Sequence, residues 1–312
     1  MTQQVKSTSS TSALVISKTF TQDPLNTKKG AQDNILQRLF LCSGWKLCCQ
    51  KLGVAALLSL FFTPAAHAAN GACSSTQSSL QFDETVKALY IYDGDTLRLS
   101  DGRKIRLIGI NTPELARKQK SAEPFAFEAK KALQSLLKKG QSIHLIHGKD
   151  QKDHYGRTLA HTFLTNGHNI QKDLIAQGLA HVIIIPPNTK FAACYLETEN
   201  AARCNQLGLW KNRGILKAEQ LTRHHIGFQL IQGTVKNITT DTKGIWLNID
   251  DTLTVGIRPD NQHLFDEKTI NSYLNQLISI RGWVNKSRKS TPYYLRVKHP
   301  LSIQLSSTLS CN

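Results

Sequence analysis

The stretch from Thr85 to Ile110, TVKALYIYDGDTLRLSDGRKIRLIGI, constrains this chain more than any other. Three runs of β-branched and apolar residues are separated by the Asp-Gly steps Asp93-Gly94 and Asp101-Gly102, which predicts an antiparallel meander with two tight hairpin turns. After a break at NTPE, Glu123 to Lys139 carries Phe127, Ala132, Leu133, Leu136 and Leu137 at helical spacing, with Gly140 as its left-handed cap. QSIHLIHG and RTLAHTFL read as a fourth and a fifth strand, and a helical stretch at Leu174 to Leu179 and a helix over about Ala192 to Gln206 end the unit at Gly208 to Trp210. Five short strands with helices in their connections predict a mainly β fold with helices (α+β), an OB-type five-stranded barrel over residues 83–211. A basic connector, 212–226, follows. From 227 to 312 strands return around one helix near Asp266 to Leu277, so a second small OB-like barrel is expected.

The first 68 residues have a different character. Leu52 to Phe62 is an 11-residue apolar run, preceded by Lys46 and Lys51 and followed by the small-x-small pattern Ala66-His67-Ala68. This predicts a leader over residues 1–68 with a secretory signal cleaved after Ala68, and a linker over 69–82. The expected destination is periplasmic or secreted; a leader left uncleaved would instead anchor the chain to the inner membrane by residues 52–62. Past Ala68, 32 basic residues stand against 20 acidic ones, a formal +12 of the whole chain's +17. That balance suits a polyanionic partner, because each neutralised phosphate releases counterions.

Four cysteines follow the leader: Cys73, Cys194, Cys204 and Cys311. An even number in an exported chain, with no CxxC spacing, predicts disulfides over metal ligands. Cys194 and Cys204 lie along one predicted helix, about 15 Å apart, too far to bridge each other. Cys73 is therefore paired with Cys194 in this reading, while Cys204 and Cys311 either pair or stay free.

Asp93 and Gly94 are accounted for by a turn; Asp95 is not, since aspartate is disfavoured at the start of a strand. The third strand carries Arg106 within its alternation and ends in Asn111, the Thr112 carbonyl and Glu114. Oxygen donors clustered at a barrel mouth suit a hard cation. A third element, HYGRTLA, places Tyr155-Gly156 as a turn before Arg157. One arginine alone is more often a solvated or salt-bridged side chain. Two arginines beside an acidic metal site supply what phosphodiester cleavage needs: guanidinium forks for phosphate oxygens and a cation for the charge gathering at phosphorus.

The order DGDT, RLIGINTPE, helix, YGR, helix and GLW resembles the thermonuclease, or staphylococcal nuclease, family over about residues 83–211. The resemblance implies an OB-type barrel and calcium-dependent cleavage of DNA and RNA to 3′-phosphate products. It implies Asp95, with Asn111 and Thr112, as the ligands of one Ca2+ ion, Arg106 and Arg157 on the scissile phosphate, and Glu114 as general base or water-orienting group. Asp93 would support the turn and Tyr155 the nucleotide pocket. Asn111 stands where the family pattern has aspartate, which removes one negative charge and predicts weaker calcium binding. A nuclease-like barrel that only binds nucleic acid is the alternative; it is disfavoured because Asp95, Arg106, Glu114 and Arg157 are all retained. A monomer is expected.

The second block more loosely resembles the barrel found after the nuclease in some relatives. In RGWVNKSRKSTPYYLRVKHP, Arg281, Trp283, Lys286, Arg288, Tyr293 and Arg296 combine cations with aromatics, a composition that suits single-stranded nucleic acid.

Overall fold

A computed structural model describes residues 80–118, 120–211, 215–287, 291–309 and 311. The expected leader, its apolar run 52–62 and Cys73 lie outside the described residues. Among the described residues no helix is long and apolar enough to cross a membrane.

The meander forms as its alternation dictates. Strand β1 (Glu84–Ile91) pairs antiparallel with β2 (Thr96–Leu99), and β2 with β3 (Lys104–Leu107). Leu97, Leu99, Ile105 and Leu107 point into the core, so the period of two turns Arg106 to the other face. A two-residue strand β4 (Ile110–Asn111), helix α1 (Ala126–Leu136), and strands β5 (Ser142–Lys152) and β6 (Thr158–Leu164) follow. Parallel pairing of β3 with β6 and antiparallel pairing of β5 with β6 and β1 close the barrel in the order β1-β2-β3-β6-β5.

Helix α2 (Ile170–Ala176), strand β7 (His181–Val182) and helix α3 (Ala192–Cys204) complete the first unit. Leu133 of α1, Leu174 of α2 and Tyr195 of α3 pack on Ile143, Leu145 and Phe163 in one hydrophobic core. A short 3-10 turn, Gly208–Trp210, ends the unit. Gly208 is required there: its φ is +50°, and a Cβ would lie 2.3 Å from the Gly178 carbonyl oxygen.

The second unit runs through β8 (Leu216–Lys217), β9 (Gly227–Asp241), β10 (Gly244–Ile249), β11 (Leu253–Ile257), α4 (Pro259–Gln262), α5 (Glu267–Ser272), β12 (Leu277–Lys286), β13 (Tyr293–Val297) and β14 (Ile303–Leu305). Antiparallel β9-β10-β11, parallel β11-β13, and antiparallel β13-β12 and β12-β9 pairings make a second closed ring. Its strands connect in the same order as the first barrel's, with the parallel pair at the same place, although no sequence repeat announces it. Strands β8 and β14 extend the sheet at its margins. The segment read as a basic connector is thus partly structural: Leu216 and Lys217 pair with β9, and Ala218 and Leu221 are buried in the second core.

Three further expectations are corrected. Neither Asp-Gly step is a two-residue turn with positive φ at both positions: Asp101 has none, and Gly102, at +91°, ends a three-residue loop closed by Leu99 N to Arg103 O at 2.8 Å. Helix α1 begins at Ala126 and stops at Leu136, so Gly140 serves a later turn and does not cap the helix. The predicted helix near Asp266 to Leu277 spans only Glu267–Ser272, capped by the Asp266 side chain accepting from Thr269 N at 2.8 Å.

Among the contacts between the two barrels are a buried ion pair and a small apolar cluster. Arg281 of β12, buried, lies 2.7 Å from Glu199 of α3 and donates to the Val182 carbonyl at 3.1 Å, while Glu199 also accepts from Val182 N at 2.7 Å. Ala202, Trp210 and Leu230 pack beside them. A disulfide joins Cys204, at the end of α3, to Cys311, with a Cα–Cα distance of 5.3 Å. Cys194 is disulfide-bonded too.

Candidate active site

The turn at Asp93-Gly94-Asp95 is held by Tyr92 N donating to Thr96 O at 2.9 Å. Gly94 is needed for space: a Cβ there would lie 2.7 Å from Ala129 Cβ of α1 and 2.8 Å from Thr112 Cβ. This close approach seats the turn against the loop after β4. Asp95, buried, is fixed on both oxygens. Its Oδ2 accepts from Thr112 N and Oγ1, both at 3.0 Å, and pairs with Arg106 Nη2 at 3.2 Å; its Oδ1 accepts from Thr96 Oγ1 at 3.1 Å. Thr112, read from sequence as a carbonyl ligand, thus clamps Asp95 through its N–H and hydroxyl.

Both arginines face the same cleft, of about 460 Å³, along with Asp93, Asn111, Glu114 and Tyr155. Arg106 donates to the Leu107 carbonyl at 2.7 Å, which sets its direction. Arg157 is oriented by Asp153, Nε to Oδ2 at 2.7 Å, and its Nη1 reaches Thr96 Oγ1 at 3.4 Å. Thr96 therefore links Asp95 to Arg157. Burial opposes the Asp153 charge, yet the Arg157 hydrogen bonds hold that carboxyl below its ordinary range. Tyr155, exposed, presents its ring 5.4 Å from the Arg157 guanidinium.

Sequence reasoning passed over Arg117, Thr96 and Asp153. Arg117 is one cation among several in LARKQK, but its loop folds back, with Glu114 and Glu123 exchanging Glu114 N to Glu123 Oε2 at 3.1 Å and Glu123 N to Glu114 O at 2.9 Å. Its Nη2 then lies 3.2 Å from Asp93 Oδ2 and 3.9 Å from Glu114 Oε2.

The cleft's donor chemistry fits a hard cation. Asp93, Asp95, Asn111 and Glu114 offer oxygen only. Burial raises the Asp93 carboxyl above its ordinary value and the neighbouring Asp95 charge raises it further; the same two causes, in the same order, raise Glu114 while Arg117 opposes them. Carboxylates that hinder one another's ionisation are those a divalent ion would relieve. Among the described residues, no three His, Cys, Asp or Glu side chains already converge on one point, so a cation beside Asp95 would have to draw on other oxygens as well.

A model of the family described as "Staphylococcal nuclease homologue" matches residues 104–212, from β3 through the Gly208–Trp210 turn. The thermonuclease of Staphylococcus intermedius is 32% identical over 127 residues, 39% of this chain and 73% of that protein. The thermonuclease of Staphylococcus hyicus is 30% identical over 133 residues, 42% of this chain and 78% of that protein.

This chain belongs to the staphylococcal nuclease family.

It also resembles endonuclease YncB of Bacillus subtilis, 30% identical over 126 residues, of which it spans 59%. It spans 49% of a second relative from that organism, the SPbeta prophage-derived endonuclease YokF. The family match includes Arg106, Asn111, Thr112, Glu114 and Arg157; Asp93, Asp95 and the whole second barrel lie outside it.

In the second barrel of this nuclease-family chain the residues picked from sequence part company. Arg281 is interior and engaged with Glu199, so it is an anchor between barrels and no contact for nucleic acid. Tyr293 packs against the second core. Lys286 and Arg296 do line an open groove, which also holds Trp246, Arg258 and Tyr294. Trp283 stands elsewhere, at the cavity between the barrels. Arg288 lies outside the described residues.

Proposed function

We propose that this chain is an exported, metal-dependent nuclease that hydrolyses DNA, RNA or both to products with a 3′-phosphate. The observation that carries the reading is the single cleft in which Asp95, Arg106, Glu114 and Arg157, drawn from four separate segments, face one another. Calcium is the ion the oxygen-only donors suit, held by Asp95, Asn111 and the Thr112 backbone, and when bound it supplies positive charge to offset that gathering at phosphorus.

The chain's own groups do the rest. Glu114 accepts a proton from an attacking water; the water oxygen bonds to phosphorus as the phosphorus–O5′ bond breaks, and O5′ leaves as a hydroxyl after taking up a proton. Arg106 and Arg157 hold the equatorial oxygens, where charge is greatest in the transition state, and one of them assists the leaving oxygen. Asp153 and Thr96 keep Arg157 aimed; Tyr155 offers a ring to the adjoining nucleotide.

Export is supported by the run Leu52–Phe62 followed by Ala66-His67-Ala68 and by the disulfide at Cys204 and Cys311. The test of the chemistry is end-group analysis of digested single-stranded DNA: products should accept a 5′ label from polynucleotide kinase without prior phosphatase treatment. Products bearing 5′-phosphate would reject the proposed direction of bond cleavage.

A further inference from the structure

A groove of about 760 Å³, roomier than the nuclease cleft of about 460 Å³, lies on the outer face of the second barrel, across β9, β10, β11 and β13. Trp246 of β10 and Tyr294 of β13 lie in it with ring centroids 6.3 Å apart. Gly256 of β11, between them, makes this possible: a Cβ there would lie 2.8 Å from both rings. Trp246 Nε1 donates to Asp241 Oδ1 at 3.0 Å, which fixes the indole plane, and the Arg258 guanidinium lies 5.7 Å from the ring. Lys286 and Arg296 add charge at the rim, Arg296 braced by Asp260 at 2.6 Å. Asn248 Oδ1, in the same lining, is buried without a hydrogen-bond donor, an acceptor waiting for an N–H. A pair of aromatic faces, cations beside them and an unmet amide acceptor is the chemistry that takes up unpaired bases and their phosphates.

The groove is also joined to the cleft through shared side chains. Arg296 lines both the groove and a small cavity containing Trp283. Trp283, 43% exposed, and Ile185 line both that cavity and a larger one, of about 400 Å³, between the barrels. Arg106 and Arg157 line both this inter-barrel cavity and the nuclease cleft. Each cavity thus shares a wall with the next from one barrel to the other.

We propose that the second barrel is a holding site for single-stranded nucleic acid, with bases on Trp246 and Tyr294, and that Trp283 supports the strand on its way to Arg106 and Arg157. The delivery half rests on the nuclease reading above; the holding half does not. Long single strands gain a second attachment and thus a raised local concentration at the cleft, while substrates of two or three nucleotides gain nothing.

Two measurements on the full chain separate these parts. In chelator, anisotropy of a fluorescein-labelled 20-nucleotide oligo-dT reads binding without cleavage, and the groove variants give the groove's share of it. Trp246→Ala with Tyr294→Ala should weaken binding tenfold or more, and Lys286→Glu, an exposed change that touches no core, should weaken it and flatten its salt dependence. With calcium, the paired aromatic change and Trp283→Ala should each raise KM for the 20-mer at least fivefold, leaving kcat and the cleavage of a trinucleotide unchanged. Unaltered oligo-dT affinity in both the aromatic and the Lys286→Glu variants, or equal affinity of the parent chain for a duplex of that length, overturns the holding site. A KM for the 20-mer unmoved by Trp283→Ala overturns the path. Absence of cleavage by the parent chain would instead defeat the nuclease reading, and with it delivery, while the anisotropy result still decides the groove.

Discussion

Arg281 and Glu199 form a buried ion pair, 2.7 Å between Nη1 and Oε2, between a strand of the second barrel and a helix of the first. Each partner also bonds Val182, whose carbonyl accepts from Arg281 and whose N–H donates to Glu199. Removing one partner strands the other without water. Arg281→Ala should cost about 3–5 kcal/mol in urea unfolding, whereas Arg281→Met combined with Glu199→Leu should cost far less. Equal losses in the single and double variants would contradict this account of the pair.

The Cys204–Cys311 bridge closes a loop of 107 residues that contains nearly the whole second barrel. Its loss in Cys311→Ser should lower stability by about 2–5 kcal/mol, chiefly by freeing the unfolded chain. Urea midpoints of the variant and the parent chain, each at two redox potentials, check this; the parent should lose more on reduction than the variant, which keeps the Cys194 disulfide.

His161 is buried between Tyr195, 3.1 Å from its Nδ1, and the ring of Phe191, and burial drives its pKa down to about 3. Its folded value is depressed, so below pH 6.5 the unfolded chain takes up a proton that the folded chain refuses. Stability is full above pH 6.5 and falls towards pH 3 by about 1.4 kcal/mol per unit from this residue. His161→Gln should remove that slope, read as the pH dependence of the urea midpoint. An unchanged slope would contradict it.

Glu114 has its carboxyl raised by burial and by Asp95. In the proposed mechanism it is an ionised base, so kcat/KM should fall as pH drops through a value above the ordinary glutamate range. Glu114→Gln should lower kcat on the order of 10²-fold or more and abolish that acidic limb. A limb that persists would assign it to another group, Asp93 foremost.

Asn111 offers a neutral oxygen where the resemblance to the family expects a carboxylate. Asn111→Asp should tighten calcium binding several-fold or more, since ligand charge tunes affinity. Isothermal titration with calcium alone measures this without reference to turnover.

Much of the first barrel is legible in the sequence because its strands alternate cleanly: with Ile105 and Leu107 committed to the core, Arg106 can only face out. The candidate site is legible for the same reason, each of its proposed members sitting beside a turn or a strand end that local chemistry marks. What is not legible is pairing over distance. Arg281 reads as a surface cation until α3 brings Glu199 to it, and Arg117 as one of a solvated run until its loop folds over Asp93. Tyr293 and Tyr294 are adjacent, and without the register nothing says which faces the groove; the structure turns Tyr294 outward to Trp246 and Tyr293 inward.

The most direct test of the central claim is cleavage of single-stranded DNA by the full chain in calcium, compared with Arg106→Ala and with chelator. Calcium-dependent cleavage in the parent, reduced on the order of 10²–10³-fold in kcat by the substitution with KM little changed, is the predicted result. Cleavage that survives Arg106→Ala, or tight salt-sensitive binding with no cleavage in any divalent ion, would contradict it and make the cleft at Asp95 a binding feature.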